Sequence, residues 1–235
     1  MSLRVIRAGL IDPWWSAAMD HSLVDSVRLR GSPPVLHMYR RPPTVSLGYF
    51  QPSTAIDREL AESKGIAVMR RMSGGGTIYN DEGQLIYTLA IPEKDLPKGS
   101  GAALAFACGA VADAIQSLGG EAVVKEPNDV HLSGLKVSGN SQLRSAGTVA
   151  LQGTVILRKP AAMEVLLKSS SAVGSLSELL QRDVEHEEVS EALLSSFLNA
   201  LDLSGENSSS TETENAHAGS LLRKRYADQE FIWGR

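Results

Sequence analysis

The chain has 235 residues, 43% of them hydrophobic and 21% charged, which is enough to bury a substantial core. A single cysteine excludes an internal disulfide framework and any multi-cysteine zinc site. A net charge of -4 argues against a chain built to neutralise nucleic-acid phosphates, and no apolar run approaches the roughly 20 residues that span a bilayer. The composition therefore predicts a soluble, cytoplasmic globular protein that works without nucleic acid or membrane.

In chain order, Leu3 to Ile6 predicts a strand and Trp14 to Leu29 a helix with Ala18, Leu23 and Val27 near one face. Trp14 and Trp15 are read as anchors for the start of that helix, and His21 within it as structural. Val35 to Arg40 is extended, and Pro42-Pro43 breaks the chain before a strand at Thr44 to Gly48. A helix is predicted over Ser53–Ser63, with Ser53 or Thr54 as N-cap and Gly65 as terminator. Strands follow at Ile66–Arg70 and Leu85–Ile91. The alanine-rich stretch from Ala102 to Leu118 predicts a helix that Gly119-Gly120 stops. Glu121–Lys125 reads as a strand, and two or three more are expected between Asp129 and Leu157. Helices are expected at Ala161–Lys168, Ser175–Gln181 and Glu187–Leu201. Residues 203–215 are polar and predict a mobile surface loop, after which Leu221, Leu222, Tyr226, Phe231 and Trp233 suffice to dock a final helix. Alternating strand pairs and helices predict one α+β domain over residues 1–235, with a mixed, largely antiparallel sheet flanked by helices.

Two segments carry chemistry. The first is RRMSGGGTIYNDEGQL, from Arg70 to Leu85. Its three consecutive glycines permit close approach of backbone to a ligand, and successive N–H groups in such a loop form an anion-binding concavity. Arg70 and Arg71 add guanidinium groups suited to phosphate or carboxylate. The segment is not a Walker loop, because no lysine and Ser/Thr follow the last glycine, and its glycines are spaced unlike the dinucleotide fingerprint. A glycine-rich turn with solvated arginines remains the alternative.

The second segment is EPNDVHLSGLKVSGNSQ, from Glu126 to Gln142. Lys136 stands between two apolar residues on a predicted strand, near Asn128-Asp129 and beside Gly139, whose missing side chain clears space. Such a lysine either faces solvent or serves chemistry in a cleft.

RRMSGGGTIYNDEGQL, then PNDVHLSGLKVSGNSQ, then LQGTVIL, with TVSLGYFQ from Thr44 to Gln51 and the terminal YADQEFIWGR, resemble the lipoate–protein ligase A family. More broadly they resemble the superfamily of biotin ligases, lipoate ligases and lipoyl or octanoyl transferases. The resemblance spans nearly the whole chain in the family's order. It implies a class II synthetase or biotin ligase-like catalytic domain that activates lipoate with ATP and Mg²⁺ as lipoyl-AMP. The acyl group then passes to a lysine of a 2-oxoacid dehydrogenase lipoyl domain or glycine-cleavage H protein. Carried over by motif, Lys136 bridges the acyl carbonyl and the α-phosphate. Arg71, Ser73, Gly74, Gly75, Gly76, Thr77, Ile78 and Tyr79 contact the nucleotide, with Asn128 as a phosphate contact and Asp129 as a Mg²⁺ or ribose contact. On the substrate side stand Arg70, Gly75, Lys136 and Gly139, with Val45, Leu47 and Ile78 as walls of an apolar slot.

The pattern is departed from at Asn80-Asp81, where family ligases commonly have His-Asp, and at Gln152-Gly153-Thr154, where they have His-Gly-Thr. Cysteine-dependent transferases of the superfamily are the competing reading. They carry their cysteine at the place of Pro127-Asn128-Asp129, or in a Pro-Cys-Gly sequence near Gly174 that is absent here. Cys108, inside the alanine-rich helix, reads as a small core residue. A non-catalytic subunit that binds acyl-carrying domains is a third reading, and Lys136, Arg71 and the three glycines argue against it. Many family ligases continue beyond the point matching Arg235 into an accessory domain, so a separate accessory subunit is an expected partner. No histidine pair has metal-ligand spacing.

Overall fold

The computed structural model describes residues 2–160 and 172–234, and the helix expected at Ala161–Lys168 lies outside them. Eleven strands are described: β1 Ser2–Leu10, β2 Val35–Arg40, β3 Thr44–Leu47, β4 Ala67–Arg70, β5 Ile78–Asn80, β6 Gln84–Pro92, β7 Ala122–Lys125, β8 Asp129–Leu132, β9 Leu135–Ser145, β10 Thr148–Ile156 and β11 Ser204–Asn207. Eight form one sheet in the order β11-β1-β2-β6-β10-β9-β8-β7, and β4-β3-β5 form a second. In the large sheet β1 pairs in parallel with β11 and β2, and the remaining pairs are antiparallel. This is the mixed, largely antiparallel arrangement that the sequence predicts.

The helices are α1 Pro13–Arg30, α2 Arg58–Ser63, α3 Ser100–Ser117, α4 Leu176–Leu179, α5 His186–Leu201, α6 Glu212–Leu221 and α7 Gln229–Trp233. The start of α1 is fixed by Asp12, whose carboxylate accepts from Trp15 N–H, with Pro13 at the first helical position. Strand alternation divides the large sheet into two faces. On one face Leu36, Met38, Leu85, Tyr87, Leu89, Val149 and Leu151 meet α3 and α5. The alanines of α3, Ala103, Ala107, Ala110 and Ala114, are buried and let that helix lie close to the strands. On the other face Ile6, Val35, Ala90 and Ala150 meet α1. Because helices cover both faces, β6 and β10 read as near-continuous apolar runs. The small sheet has its own apolar cluster of Val45, Leu47, Val68, Tyr79 and Ile232. Trp14 joins it to α1 by donating from Nε1 to Val68 O at 3.1 Å. No helix among the described residues is long and apolar enough to cross a membrane.

Two local expectations are corrected. The helix predicted from Ser53 is a short 3-10 turn, Ser53–Ala55, followed by α2, and the cap is Asp57, which accepts from Leu60 N–H. The chain leaves its helical turn after Ala55 and needs a fresh N-terminus, which the later acidic residue supplies. The loop expected at 203–215 holds the edge strand β11 and the start of α6 instead. Thr211 and Glu214 form a capping box there. All four residues of β11 are exposed, so no hydrophobic alternation marks the strand.

Glu214 also pins α6 to β1. Its carboxylate takes a bidentate bond from Arg4 at 2.7 and 3.0 Å, with 2% of the Glu214 side chain exposed. Burial alone would raise this carboxyl, but Arg4, the Thr211 N–H and Ser26 hold it down to about 2. A depressed carboxyl contributes stability above its unfolded value, and that contribution is lost as pH falls through the folded value. Acid should therefore weaken this corner progressively between an ordinary carboxyl pKa of 4.5 and about 2. Glu214→Ala leaves the Arg4 guanidinium without its carboxylate, with only the neutral acceptors of Ser32, Ser208 and Ser209, and is expected to cost about 3 kcal/mol by urea unfolding at neutral pH.

Candidate active site

Cross-strand register on the α1 face builds the floor of the site. One row runs His37–Thr88–Gln152–Ser141 and the next Tyr39–Ile86–Thr154–Gly139–Asp129. The β8–β9 register shifts between Val130 and His131, so that Lys136 pairs with His131 while Gly139 faces Asp129. The bulge brings Lys136 back over Gly139. A Cβ at Gly139 would sit 3.0 Å from Lys136 Nζ, so any larger residue there would push the ammonium aside. Nζ pairs with Asp129 Oδ1 at 2.7 Å, with 25% and 22% of the two side chains exposed. The lysine is thus held by one carboxylate and remains open to a ligand. Its backbone is fixed by Ala172 and Gly174, which bond Lys136 N–H at 3.2 Å and Lys136 O at 3.0 Å.

The glycine loop lies over the first row. Ser73 and Ser141 hydroxyls are 3.0 Å apart, which ties the loop to β9 two residues from Gly139, about 7 Å along a strand. Arg71 is buried behind the loop. It donates from Nη2 to Gly74 O and Gly76 O, both at 2.7 Å, from Nη1 to Ser46 O at 2.9 Å, and from Nε to Ser73 Oγ at 3.2 Å. Burial, with help from Arg41, lowers this guanidinium to about 10, which leaves it charged at neutral pH. With the carbonyls turned toward Arg71, the N–H groups of Gly74, Gly75 and Gly76 donate to no acceptor among the described residues. Gly75 has φ +86° and is exposed together with Gly76, while Ser73 is buried. Unsatisfied N–H groups on an exposed crest form an anion-binding concavity. Thr77 Oγ1 is buried there without a partner among the described residues.

Several expected contacts are placed differently. Arg70 is fully buried and is not arranged to meet a substrate. It donates to the carbonyls of Gly48 at 3.0 Å, Gln51 at 2.6 Å, Phe231 at 3.0 Å and Ile232 at 2.8 Å, clamping the C-terminal segment to the end of β3. Tyr79, Val45 and Leu47 point into the small-sheet core, while Ile78 stays half-exposed. Burial pushes the Tyr79 phenol up to about 12. The Asn128 side chain donates to Asn140 O at 2.6 Å and so holds β8 to β9, leaving its oxygen and its second N–H for a ligand. Asp129 Oδ1 is taken by Lys136. Among the described residues no three His, Cys, Asp or Glu side chains converge into a metal cage. A single carboxylate suits Mg²⁺ only when nucleotide phosphates supply further oxygens.

Three features are invisible in the motifs. Gly48 packs so tightly under the loop that a Cβ there would lie 2.0 Å from Gly75 O. Asp20 of α1, fully buried, accepts from His37 Nδ1 at 2.8 Å, Tyr39 OH at 2.7 Å and Gln152 Nε2 at 2.9 Å. With Thr88 Oγ1 also taking Gln152 Nε2, at 3.0 Å, the amide orientation is fixed. Gln152 thus presents a buried Oε1 with no partner among the described residues, at the place of the expected family histidine. A lone Asp within a helix gave no signal for this network.

Cys108 is on the other face. It is 0% exposed, and Asn140, the neighbour of Gly139 that points the opposite way, donates to its Sγ at 3.3 Å. Burial raises the thiol to about 11 although the Asn140 bond opposes this. No thiolate is available to the Lys136 cleft.

Residues 12–198 match the model of the lipoyl protein ligase A/B catalytic domain. The chain belongs to that family. A curated relative, octanoyltransferase LipM of Geobacillus kaustophilus, is 25% identical, with 99% of this chain and 98% of that protein covered. Lipoate-protein ligase A subunit 1 of Thermoplasma acidophilum is 26% identical over 93% and 91% of the two chains. A crystal structure of lipoate-protein ligase A bound with ATP superposes with TM-score 0.90 at 24% identity, covering 100% of this chain and 99% of that one. An archaeal bi-partite lipoate protein ligase from Thermoplasma acidophilum, analysed with its E2 lipoyl domain, gives 0.88 at 24% identity, over 100% and 97% of the chains. The protein is therefore an enzyme of the lipoate ligase and octanoyltransferase superfamily, with relatives of both activities.

Proposed function

We propose that this chain is an ATP-dependent lipoate–protein ligase. One observation carries the reading. The glycine crest with its unsatisfied N–H groups and Lys136 share one face of the sheet, while the only cysteine is sealed on the other. That is equipment for joining two anions, and it lacks a nucleophile for a thioester.

In the first step a carboxylate oxygen of lipoate attacks the α-phosphorus of ATP, the bond to the β-phosphate breaks, and pyrophosphate leaves. The N–H groups of Gly74, Gly75 and Gly76 receive phosphate oxygens. Arg71 acts behind them by fixing the loop. Lys136 leaves Asp129 and places its ammonium where charge accumulates between carboxylate and phosphate. Mg²⁺ would be held by the released Asp129 carboxylate together with phosphate oxygens, and it supplies charge neutralisation. In the second step the acceptor lysine attacks the acyl carbonyl, Lys136 stabilises the oxyanion, and AMP leaves. The acceptor is a lipoyl domain or H protein, and a separate accessory subunit completes the enzyme as in the bi-partite relative.

Direct octanoyl transfer from a carrier protein is the second reading, favoured by the LipM relatives. Cys108→Ser separates the two. The variant is expected to keep lipoate- and ATP-dependent acylation of a lipoyl domain within about twofold, since a buried thiol is a small packing group. Complete loss of acylation in a folded Cys108→Ser protein would favour the transferase.

A further inference from the structure

The outer flank of the glycine loop carries a feature that the acyl chemistry does not use. Leu222–Tyr226 form a π-helical turn, a rare geometry that recurs at functional sites. It carries three consecutive cations, Arg223, Lys224 and Arg225, in a chain of net charge -4. None of the three has a carboxylate partner among the described residues. The Arg225 guanidinium lies over three rings, 4.6 Å from the centroid of Phe231, 5.6 Å from Tyr49 and 5.7 Å from Tyr226. Its Nε is buried without an acceptor among the described residues. Beside it opens a cavity of about 440 Å³, lined by Tyr49, Lys224, Arg225, Asp228, Glu230 and Phe231. Tyr49 joins this cavity to the catalytic loop, since its N–H donates to Ser73 O at 2.9 Å.

We infer that the Arg225 cavity anchors an acidic side chain of the acceptor protein. The inference rests on the proposed transfer to a protein lysine, and adds where that protein docks. A guanidinium caged by aromatic faces is already ordered, so a carboxylate meets it at low entropic cost. Arg, Tyr and Phe around a pocket are also the residues that dominate protein interfaces. Asp228 and Glu230 in the wall repel any anion, and a multiply charged phosphate more than a single carboxylate, so the two cations accept a carboxylate more readily than a nucleotide. Asp228 is in addition engaged as the cap of α7, accepting from Glu230 N–H at 3.1 Å.

The experiment measures calorimetric binding of an apo lipoyl domain to the full chain and, separately, acyl-AMP formation from lipoate and ATP without acceptor. Arg225→Gln is expected to weaken lipoyl-domain binding about tenfold or more and to leave acyl-AMP formation unchanged. Arg225→Lys should lose less, and raised salt should weaken wild-type binding. Lys224→Gln, at an exposed position, should weaken binding a fewfold and serves if Arg225→Gln does not fold. Wild-type affinity in a folded Arg225→Gln protein, absence of binding in the wild type, or salt-independent binding would overturn the inference. Arg225-dependent binding without any acylation would leave the docking site standing and remove the ligase reading. Acylation that ignores both substitutions would do the reverse.

Discussion

Lys136→Ala is expected to lower acyl-AMP formation by about 100- to 1000-fold, the usual cost of removing one group aimed at developing charge in a closed site. The fold should survive, because the ammonium is partly exposed and its one partner, Asp129, is at the surface of the same hairpin. Lys136→Arg should restore little. A planar, delocalised guanidinium on a longer stem does not reproduce the compact point charge of the ammonium. Quenched-flow measurement of acyl-AMP, with circular dichroism as the control for folding, reads both variants. Full activity in Lys136→Ala would remove the lysine from the reaction.

Gly48→Ala is expected to be nearly as damaging, although Gly48 bears no functional group. Its Cβ would come within 2.0 Å of Gly75 O and 3.2 Å of Arg71 Nη2, so the crest of the loop must move. Shifts of an ångström in a positioning element cost about 100-fold in rate, and overpacking costs about 1–3 kcal/mol in stability. The distinguishing sign is a raised KM for ATP together with a lowered kcat. A lost loop changes phosphate binding, whereas general destabilisation lowers only the fraction folded.

The sequence exposed those parts of the site that lie within short segments. Lys136, Gly139 and Asp129 meet because β8 and β9 form one hairpin, and Gly74–Gly76 form the crest because three glycines permit it. Arg70 and Arg71 were indistinguishable as neighbours, yet they face different surroundings. Arg70 is spent on the carbonyls of Gly48, Gln51, Phe231 and Ile232, and Arg71 on those of Ser46, Gly74 and Gly76. The partners of Arg70 lie 19 to 162 residues away and leave no local trace in the chain. The Asp20–Gln152 bond spans 132 residues and escaped for the same reason. In the fold, helices with strong caps or alanine runs were legible, whereas β11 was not. Its four residues, Ser204 to Asn207, are exposed and polar, and pair with β1 through the backbone ladder and the Arg7–Asn207 side-chain bond at 2.6 Å.

The glycine crest and Lys136 are proposed to adenylate lipoate on this face of the sheet. The most direct measurement is lipoate-dependent exchange of labelled pyrophosphate into ATP by the purified chain completed with its accessory subunit, compared with octanoyl transfer from an octanoyl carrier protein to a lipoyl domain without ATP. Exchange should require lipoate, disappear in Lys136→Ala and persist in Cys108→Ser. ATP-independent octanoyl transfer with no pyrophosphate exchange would contradict that proposal.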